Sequence, residues 1–388
     1  MANPLYDTLL GQHRGKGTPF LQLADGTVFT HAEFLDLAAR YANLLTHLGV
    51  APGDRVAVQV AKSPQALAVY AACVQAGIVF LPLNTAYTAD EVSYFADNSG
   101  ARVFLCDAGA LSALKPVAKA CGARLETMNA DGGGSFADQA AAMPVTFDTV
   151  DRSADDLAAF LYTSGTTGRS KGARLTQGNL LSNCQTLAAA WRFTADDTLL
   201  HALPIFHTHG LFVATNISLL AGGKILFLPR FDLDAMLDLM PQATTMMGVP
   251  TFYTRLLGDA RFTRDTARHM RLFVSGSAPL LAETHLQFEA RTGHRILERY
   301  GMTETNMNTS NPYDGERRAG TVGFPLPGVE LKITDSKTGQ TLPQGEIGEI
   351  EVRGPNVFQG YWQMPDKTAE ELREDGFFIT GDLGVTSK

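Results

Sequence analysis

Short β-branched strands alternate with well-capped helices through the first 150 residues, and this rhythm constrains the fold more than any other feature. Thr30-His31-Ala32-Glu33 is a capping box, in which hydroxyl and carboxylate satisfy each other's backbone N–H. It opens a helix with Phe34, Leu37, Ala38, Tyr41, Leu44, Leu45 and Leu48 at helical spacing, closed by Gly49. Arg55 to Val60 reads as a strand, Ser63-Pro64 starts a helix that ends at Gly77, and Ile78 to Leu81 is a buried strand. Thr88-Ala89-Asp90-Glu91 opens the next helix, and Arg102 to Cys106 is the strand after it. Strands joined through helices pair in parallel, so these are βαβ units. Residues 131–135, Asp-Gly-Gly-Gly-Ser, form a surface loop. A second alternating run places strands at 157–162, 198–203, 224–228, 243–247 and 271–274. Near 320 the texture changes: Val329 to Ile333 and Glu346 to Val352 alternate apolar and polar residues between Gly/Pro turns, the pattern of antiparallel strands. The expected fold is α/β, with two stacked, mainly parallel βαβ subdomains (1–180 and 181–325) and a small antiparallel β subdomain (326–388).

A chain of 388 residues exceeds one ordinary domain, and 45% apolar with 19% charged residues suits a globular enzyme with a sizeable core. The net charge of -8 argues against a nucleic-acid surface, which needs clustered Lys and Arg. It does not exclude a phosphate site, which needs only local donors. Cys73, Cys106, Cys121 and Cys184 are far apart and form no C-x-x-C pair, which favours reduced thiols in a cytoplasmic protein over a disulfide framework or zinc. The N-terminus lacks a signal-peptide pattern, and no apolar run is long enough for a membrane span. Oligomeric state is not legible in the sequence.

Three motifs carry chemistry. Tyr162-Thr163-Ser164-Gly165-Thr166-Thr167-Gly168-Arg169-Ser170-Lys171-Gly172 follows an apolar strand. Its glycines let backbone approach a ligand, and its hydroxyls and lysine supply donors for phosphate oxygens. The spacing differs from a Walker A loop, because Arg169 and Ser170 separate Gly168 from Lys171. The second motif is Glu298-Arg299-Tyr300-Gly301-Met302-Thr303-Glu304, after strand-like Arg295 to Leu297. Here a tyrosine can stack on a base, Gly301 permits close approach, Thr303 can donate to phosphate, and Glu304 is a hard oxygen ligand suited to Mg²⁺. In the third, Thr380-Gly381-Asp382, a carboxylate after a turn can accept from both ribose hydroxyls.

In this order the three motifs resemble the core motifs of the adenylate-forming superfamily: acyl-CoA synthetases, firefly luciferases and the adenylation domains of peptide synthetases. Leu203-Pro204-Ile205-Phe206-His207-Thr208-His209-Gly210, Ser275-Gly276-Ser277-Ala278-Pro279-Leu280, Gly345-Glu346-Ile347-Gly348-Glu349-Ile350 and Gly360-Tyr361-Trp362 extend the likeness over nearly the whole chain. The resemblance implies that Thr163 to Lys171 hold the β- and γ-phosphates of ATP and that Ser277, Ala278 and Pro279 line the adenine. It further implies that residues 298–303 touch adenine, α-phosphate and acyl carboxylate, that Glu304 binds Mg²⁺, and that Asp382 binds ribose. Thr163, Lys171, Glu304 and His207 are the expected catalytic residues, with His207 gating or shaping the acyl pocket. His207 and His209 have H-x-H spacing, but no third ligand is evident, so zinc is not expected. The implied reaction is ATP-dependent activation of a small carboxylic acid to its adenylate, followed by transfer to coenzyme A.

Arg299 directly precedes Tyr300, and Arg255 lies in Val249-Pro250-Thr251-Phe252-Tyr253-Thr254-Arg255, a stretch that lines the acyl pocket in the family. Two arginines facing one pocket suit a second carboxylate on the substrate, because guanidinium binds carboxylate bidentately, and the resemblance adds His207, Ser277 and Met302 as residues that contact the substrate. Together with Arg318-Ala319-Gly320-Thr321-Val322-Gly323, the pattern looks like malonyl-CoA synthetases, some of which also take methylmalonate. Competing readings are a synthetase for another short acid, an adenylation domain that loads a carrier protein, a luciferase-like oxygenase and a non-catalytic nucleotide-binding module. The family carries a small C-terminal domain beyond the Asp382 region, with a lysine that contacts the acyl carboxylate and α-phosphate. This sequence stops at Lys388, near the family's hinge, so the resemblance implies low turnover by the chain alone.

Overall fold

The computed structural model describes residues 2–163 and 170–387. Its first sheet has six strands in the order Arg124–Thr127, Val103–Cys106, Arg55–Gln59, Val79–Pro82, Leu157–Thr163 and Lys171–Thr176. Neighbours run parallel except the last two, which form an antiparallel pair. The second sheet has nine strands. Six parallel strands form its centre: Leu297–Met302, Leu272–Ser275, Thr245–Gly248, Thr198–His201, Lys224–Phe227 and Pro19–Gln22. Antiparallel strands Asn306–Ser310 and Phe324–Pro325 extend one edge, and Val28–Thr30 closes the other. A third, antiparallel sheet contains Glu330–Thr334, Gly348–Arg353 and Phe378–Gly384. Sheet membership does not follow chain order, because residues 19–30 add to the second sheet before the first begins.

The local signals behave as read. Thr30 and Glu33 cap the helix His31–His47 reciprocally, and Thr88 and Glu91 do the same for Ala89–Ser99. The helix Pro64–Ala76 is apolar almost all round and buried on nearly every side, as a helix between two layers must be. Its Tyr70 shows the bridging: the ring lies 5.4 Å from Phe80 of the first sheet and 6.0 Å from Phe212, and the hydroxyl donates to Asn216 at 3.2 Å. Lys62 also joins the two layers, donating to the carbonyls of His201 (3.0 Å) and Leu203 (2.9 Å).

Two features differ from the sequence reading. The Tyr-Gly motif lies inside the strand Leu297–Met302 rather than after it, because this strand continues past the parallel sheet to pair with Asn306–Ser310. Lys171–Thr176 is also a strand, although Lys171, Gly172 and Arg174 interrupt its apolar alternation. Among the buried polar groups, Asn179 Nδ2 donates to the carbonyls of Pro355 and Val357, and the Phe358 N–H donates to the Glu304 carbonyl. These bonds pin residues 355–361 against the main body and carry Tyr361 into the cleft.

Candidate active site

Parallel strands of both layers end along one crevice, where open α/β sheets place ligands. Thr163 ends one strand of the first sheet, opposite Lys171 at the start of its antiparallel partner. Ser164, Gly165, Thr166, Thr167 and Gly168 of the expected phosphate loop lie outside the described residues. The Lys171 ammonium lies 3.1 and 3.3 Å from the two Glu371 oxygens and 4.4 Å from the centre of the Tyr361 ring. The Tyr361 hydroxyl lies 2.6 Å from Glu371 and 3.0 Å from Glu304 Oε1. A phenol has one proton to donate, so it cannot fully satisfy both carboxylates. Burial alone would raise the Glu371 pKa, but Tyr361, Lys367 and Lys171 outweigh it and hold the carboxyl below its ordinary value. Glu304 is buried and its pKa is raised, chiefly by desolvation. An incompletely satisfied, enclosed carboxylate is a fitting ligand for a hard divalent cation. Among the described residues no group of three His, Cys, Asp or Glu gathers to hold a metal. Mg²⁺ needs no such cage, since it takes one or two carboxylates and completes its shell with phosphate and water.

The strand Leu297–Met302 distributes its side chains by alternation. Glu298 turns into the structure, with Oε1 near His285 Nδ1 (3.3 Å) and accepting from the Gly320 N–H (3.2 Å). Tyr300 donates to Asp382 Oδ2 at 2.7 Å, which joins the second and third motifs physically. Gly301 packs against the Asn306 carbonyl of the neighbouring strand. Met302 and Thr303 are half-buried, and Thr303 shares a narrow cleft with His207, Phe206 and Tyr162.

Arg299 points to the face opposite Glu298. It is 4% exposed, and its Nε and Nη2 have no hydrogen-bond partner among the described residues. Gly276 makes room for it, because a Cβ there would collide with the guanidinium. Burial pulls the Arg299 pKa down to about 9, so the group remains a cation at neutral pH. Next to Gly276, Ser277, Ala278 and Pro279 lie exposed along the crevice, and Ser277 Oγ reaches His209 Nδ1 at 3.2 Å.

His207 is exposed, packs on Phe206 with ring centroids 4.6 Å apart, and has a pKa lowered by partial desolvation. Arg255 lies on the exposed side of the helix Pro250–Leu257, which buries Phe252, Tyr253 and Leu256. Its guanidinium covers the Phe231 ring at 4.3 Å. Of the two arginines expected to face one pocket, only Arg299 is enclosed. Glu371 and His209 had no role in the sequence reading. Glu371 gives no local signal, whereas His209 was visible in the H-x-H spacing but indistinguishable from His207 without burial. Beside the crevice, a cavity of about 810 Å³ opens between the layers, lined by apolar residues with Lys62, Asp107 and Arg230. No helix among the described residues is long and apolar enough to cross a membrane.

Comparison with known proteins agrees with this geometry. A family profile described as AMP-binding enzyme matches residues 12–362. A malonate–CoA ligase of Arabidopsis thaliana is 33% identical over 404 residues, covering 93% of this chain. The chain spans 65% of that relative's length. The crystal structure of ATP-bound MatB from Rhodopseudomonas palustris superposes with a TM-score of 0.98 at 56% identity, covering 100% of this chain and 77% of that one. A malonyl-CoA ligase ternary product complex with methylmalonyl-CoA and AMP bound has a TM-score of 0.82 at 36% identity, covering 100% of this chain and 79% of that one.

Proposed function

The chain belongs to the AMP-binding enzymes, and from that premise we propose that it activates a small dicarboxylic acid as an acyl-adenylate and transfers the acyl group to coenzyme A. Malonate is the first candidate and methylmalonate the second. The observation that carries the choice of acid is Arg299. A buried guanidinium without an anion is unfavourable by several kcal/mol in order of magnitude (~3–5). The binding of a distal carboxylate offsets that penalty, and the planar fork matches carboxylate geometry. The malonate- and methylmalonate-related proteins named above support the same choice.

The remaining assignments follow from charge. The acid's reacting carboxylate must approach the anionic α-phosphorus of ATP, and like charges repel. In this reading Lys171, Thr163 and the segment from Ser164 to Gly168 hold the β- and γ-phosphates, with Thr303 on the α-phosphate side. Tyr300, Ser277, Ala278 and Pro279 border the adenine, and Asp382 accepts from the ribose. Glu298, turned inward, supports this strand rather than touching the base. Glu304 would hold Mg²⁺, which supplies charge neutralisation on the phosphates and leaving pyrophosphate. Tyr361 positions Glu304, and Glu371 pairs with Lys171 until phosphate takes its place. His207 borders the entrance to the acyl site. Met302 bounds the site, and Arg255 stays outside it. The cavity between the layers has the size and apolar lining to receive the thiol arm of coenzyme A. A cytoplasmic location is part of the same reading.

ATP–pyrophosphate exchange against acetate, propionate, malonate, methylmalonate and succinate tests the proposal. Malonate or methylmalonate should lead. A leading monocarboxylate would overturn the choice of acid. ATP binding with no binding of any of these acids would leave a nucleotide-binding module.

A further inference from the structure

We infer that His209 is a second specificity-determining donor in this site, pairing with Arg299 on the distal carboxylate of the substrate. The inference rests on the dicarboxylate reading and adds a residue to it. His209 opens a π-helical segment, His209–Thr215, a backbone form that concentrates at functional sites. Gly210 fixes the start of that segment by packing against the Pro204 carbonyl, where a Cβ would collide. The imidazole is 4% exposed, and its Nε2 has no partner among the described residues.

A buried histidine can satisfy both ring nitrogens within the fold. His201 does so nearby, with Nδ1 at 3.0 Å from Lys62 Nζ and Nε2 at 2.9 Å from the Gly210 carbonyl oxygen. Among the described residues His209 has only Nδ1 engaged, by Ser277 Oγ at 3.2 Å. Ser277 holds that contact from a left-handed backbone conformation, φ 70°, which is strained for a residue with a side chain. When the Ser277 hydroxyl donates to Nδ1, the ring proton sits on Nε2 and that atom becomes a donor.

The turn 275–277 therefore serves two groups. Gly276 seats the Arg299 guanidinium, and Ser277 sets the tautomer of His209. The charge on Arg299 bears directly on the imidazole, which burial and this neighbour hold in the neutral form. A neutral N–H beside a guanidinium adds a hydrogen bond without adding repulsion. A carboxylate has about four lone-pair sites, so it can accept from the guanidinium fork and from Nε2–H together. A monocarboxylate would bring a methyl group to the same place and leave buried donors unpaired, which is how a polar pocket rejects an analogue.

The test is calorimetric titration of the 388-residue chain with malonate and with propionate, in the presence of Mg²⁺ and a non-hydrolysable ATP analogue. Wild type, His209→Phe and His209→Gln are compared. His209→Phe should weaken malonate at least about tenfold while leaving propionate and nucleotide affinity within about twofold. His209→Gln, whose amide nitrogen can reach the Nε2 position, should recover most of the loss. Wild-type malonate affinity in His209→Phe would overturn the inference. Equal loss of malonate and propionate would also overturn it, by assigning His209 to packing. A wild-type chain that does not prefer malonate to propionate would instead refute the dicarboxylate reading itself.

Discussion

Arg271 and Arg299 stand at opposite ends of adjacent parallel strands, and their surroundings could hardly differ more. Arg271, just before Leu272–Ser275, donates from Nε and Nη2 to the two oxygens of Asp197, both at 2.7 Å, and to the carbonyls of Trp191 (3.0 Å) and Arg192 (3.1 Å). Arg299, toward the far end of Leu297–Met302, is more deeply buried and has two nitrogens without partners among the described residues. At the amino ends of the strands the fold satisfies its own charge. At the carboxyl ends, the side on which open α/β sheets place ligands, Arg299 keeps donors that the described residues do not satisfy. On the proposed reading, a cation that would be a defect in a purely structural setting serves to bind the substrate.

The largest effect is expected at Arg271. Arg271→Met leaves Asp197 buried without its partner and should destabilise the chain by about 3–5 kcal/mol in chemical denaturation. Arg299→Met should instead raise ligand-free stability, on the order of 1–3 kcal/mol, by removing an unpaired charge. A loss of stability at Arg299 comparable to that at Arg271 would erase the distinction between them.

An unpartnered atom away from the crevice should show itself in stability rather than binding. Among the described residues His31 Nε2 is one, with no hydrogen bond of good geometry, in a buried ring stacked between His13 and Phe20. Burial, with the neighbouring His13, lowers the His31 pKa to about 4. The unfolded chain then takes up a proton on His31 below pH 6.5 that the folded chain refuses. Stability is therefore full above about pH 6.5 and falls as pH drops toward 4, by about 3 kcal/mol from this group. Melting curves between pH 7 and 4 should show a smaller decline in His31→Phe, with nucleotide binding at neutral pH unchanged. The smallest effect is expected at Glu371, whose pair with Lys171 must yield when phosphate arrives. Glu371→Gln should tighten Mg-ATP binding about threefold, the scale of one partly exposed ion pair. Weaker binding would mean that Glu371 acts chiefly by orienting Lys171.

Much of the scaffold was legible because its signals are local. Thr30–Glu33 and Thr88–Glu91 declare helix starts within four residues, and the short apolar strands declare themselves by composition. The strand Lys171–Thr176 was not legible, because Gly172 and two basic residues disguise it. The placement of residues 19–30 in the second sheet was not legible either, since pairing across 200 residues leaves no mark on either segment alone. At the site, Tyr300 and Asp382 were named separately, and the fold supplies their 2.7 Å contact. The partnership of Lys171 with Glu371 also spans 200 residues and has no local signature. Helical periodicity could have separated Arg255 from Arg299, because the buried face of its helix, Phe252, Tyr253 and Leu256, leaves position 255 outside.

The central claim is that Arg299 waits for the second carboxylate of a small diacid. It is tested most directly by measuring malonate affinity for wild type and Arg299→Met, with Mg²⁺ and a non-hydrolysable ATP analogue present and propionate as the matched monoacid. Wild type should prefer malonate, and Arg299→Met should weaken malonate about 100-fold, ~3 kcal/mol, with little change for propionate. Equal affinity for the two acids in wild type, or malonate binding indifferent to the substitution, would contradict it.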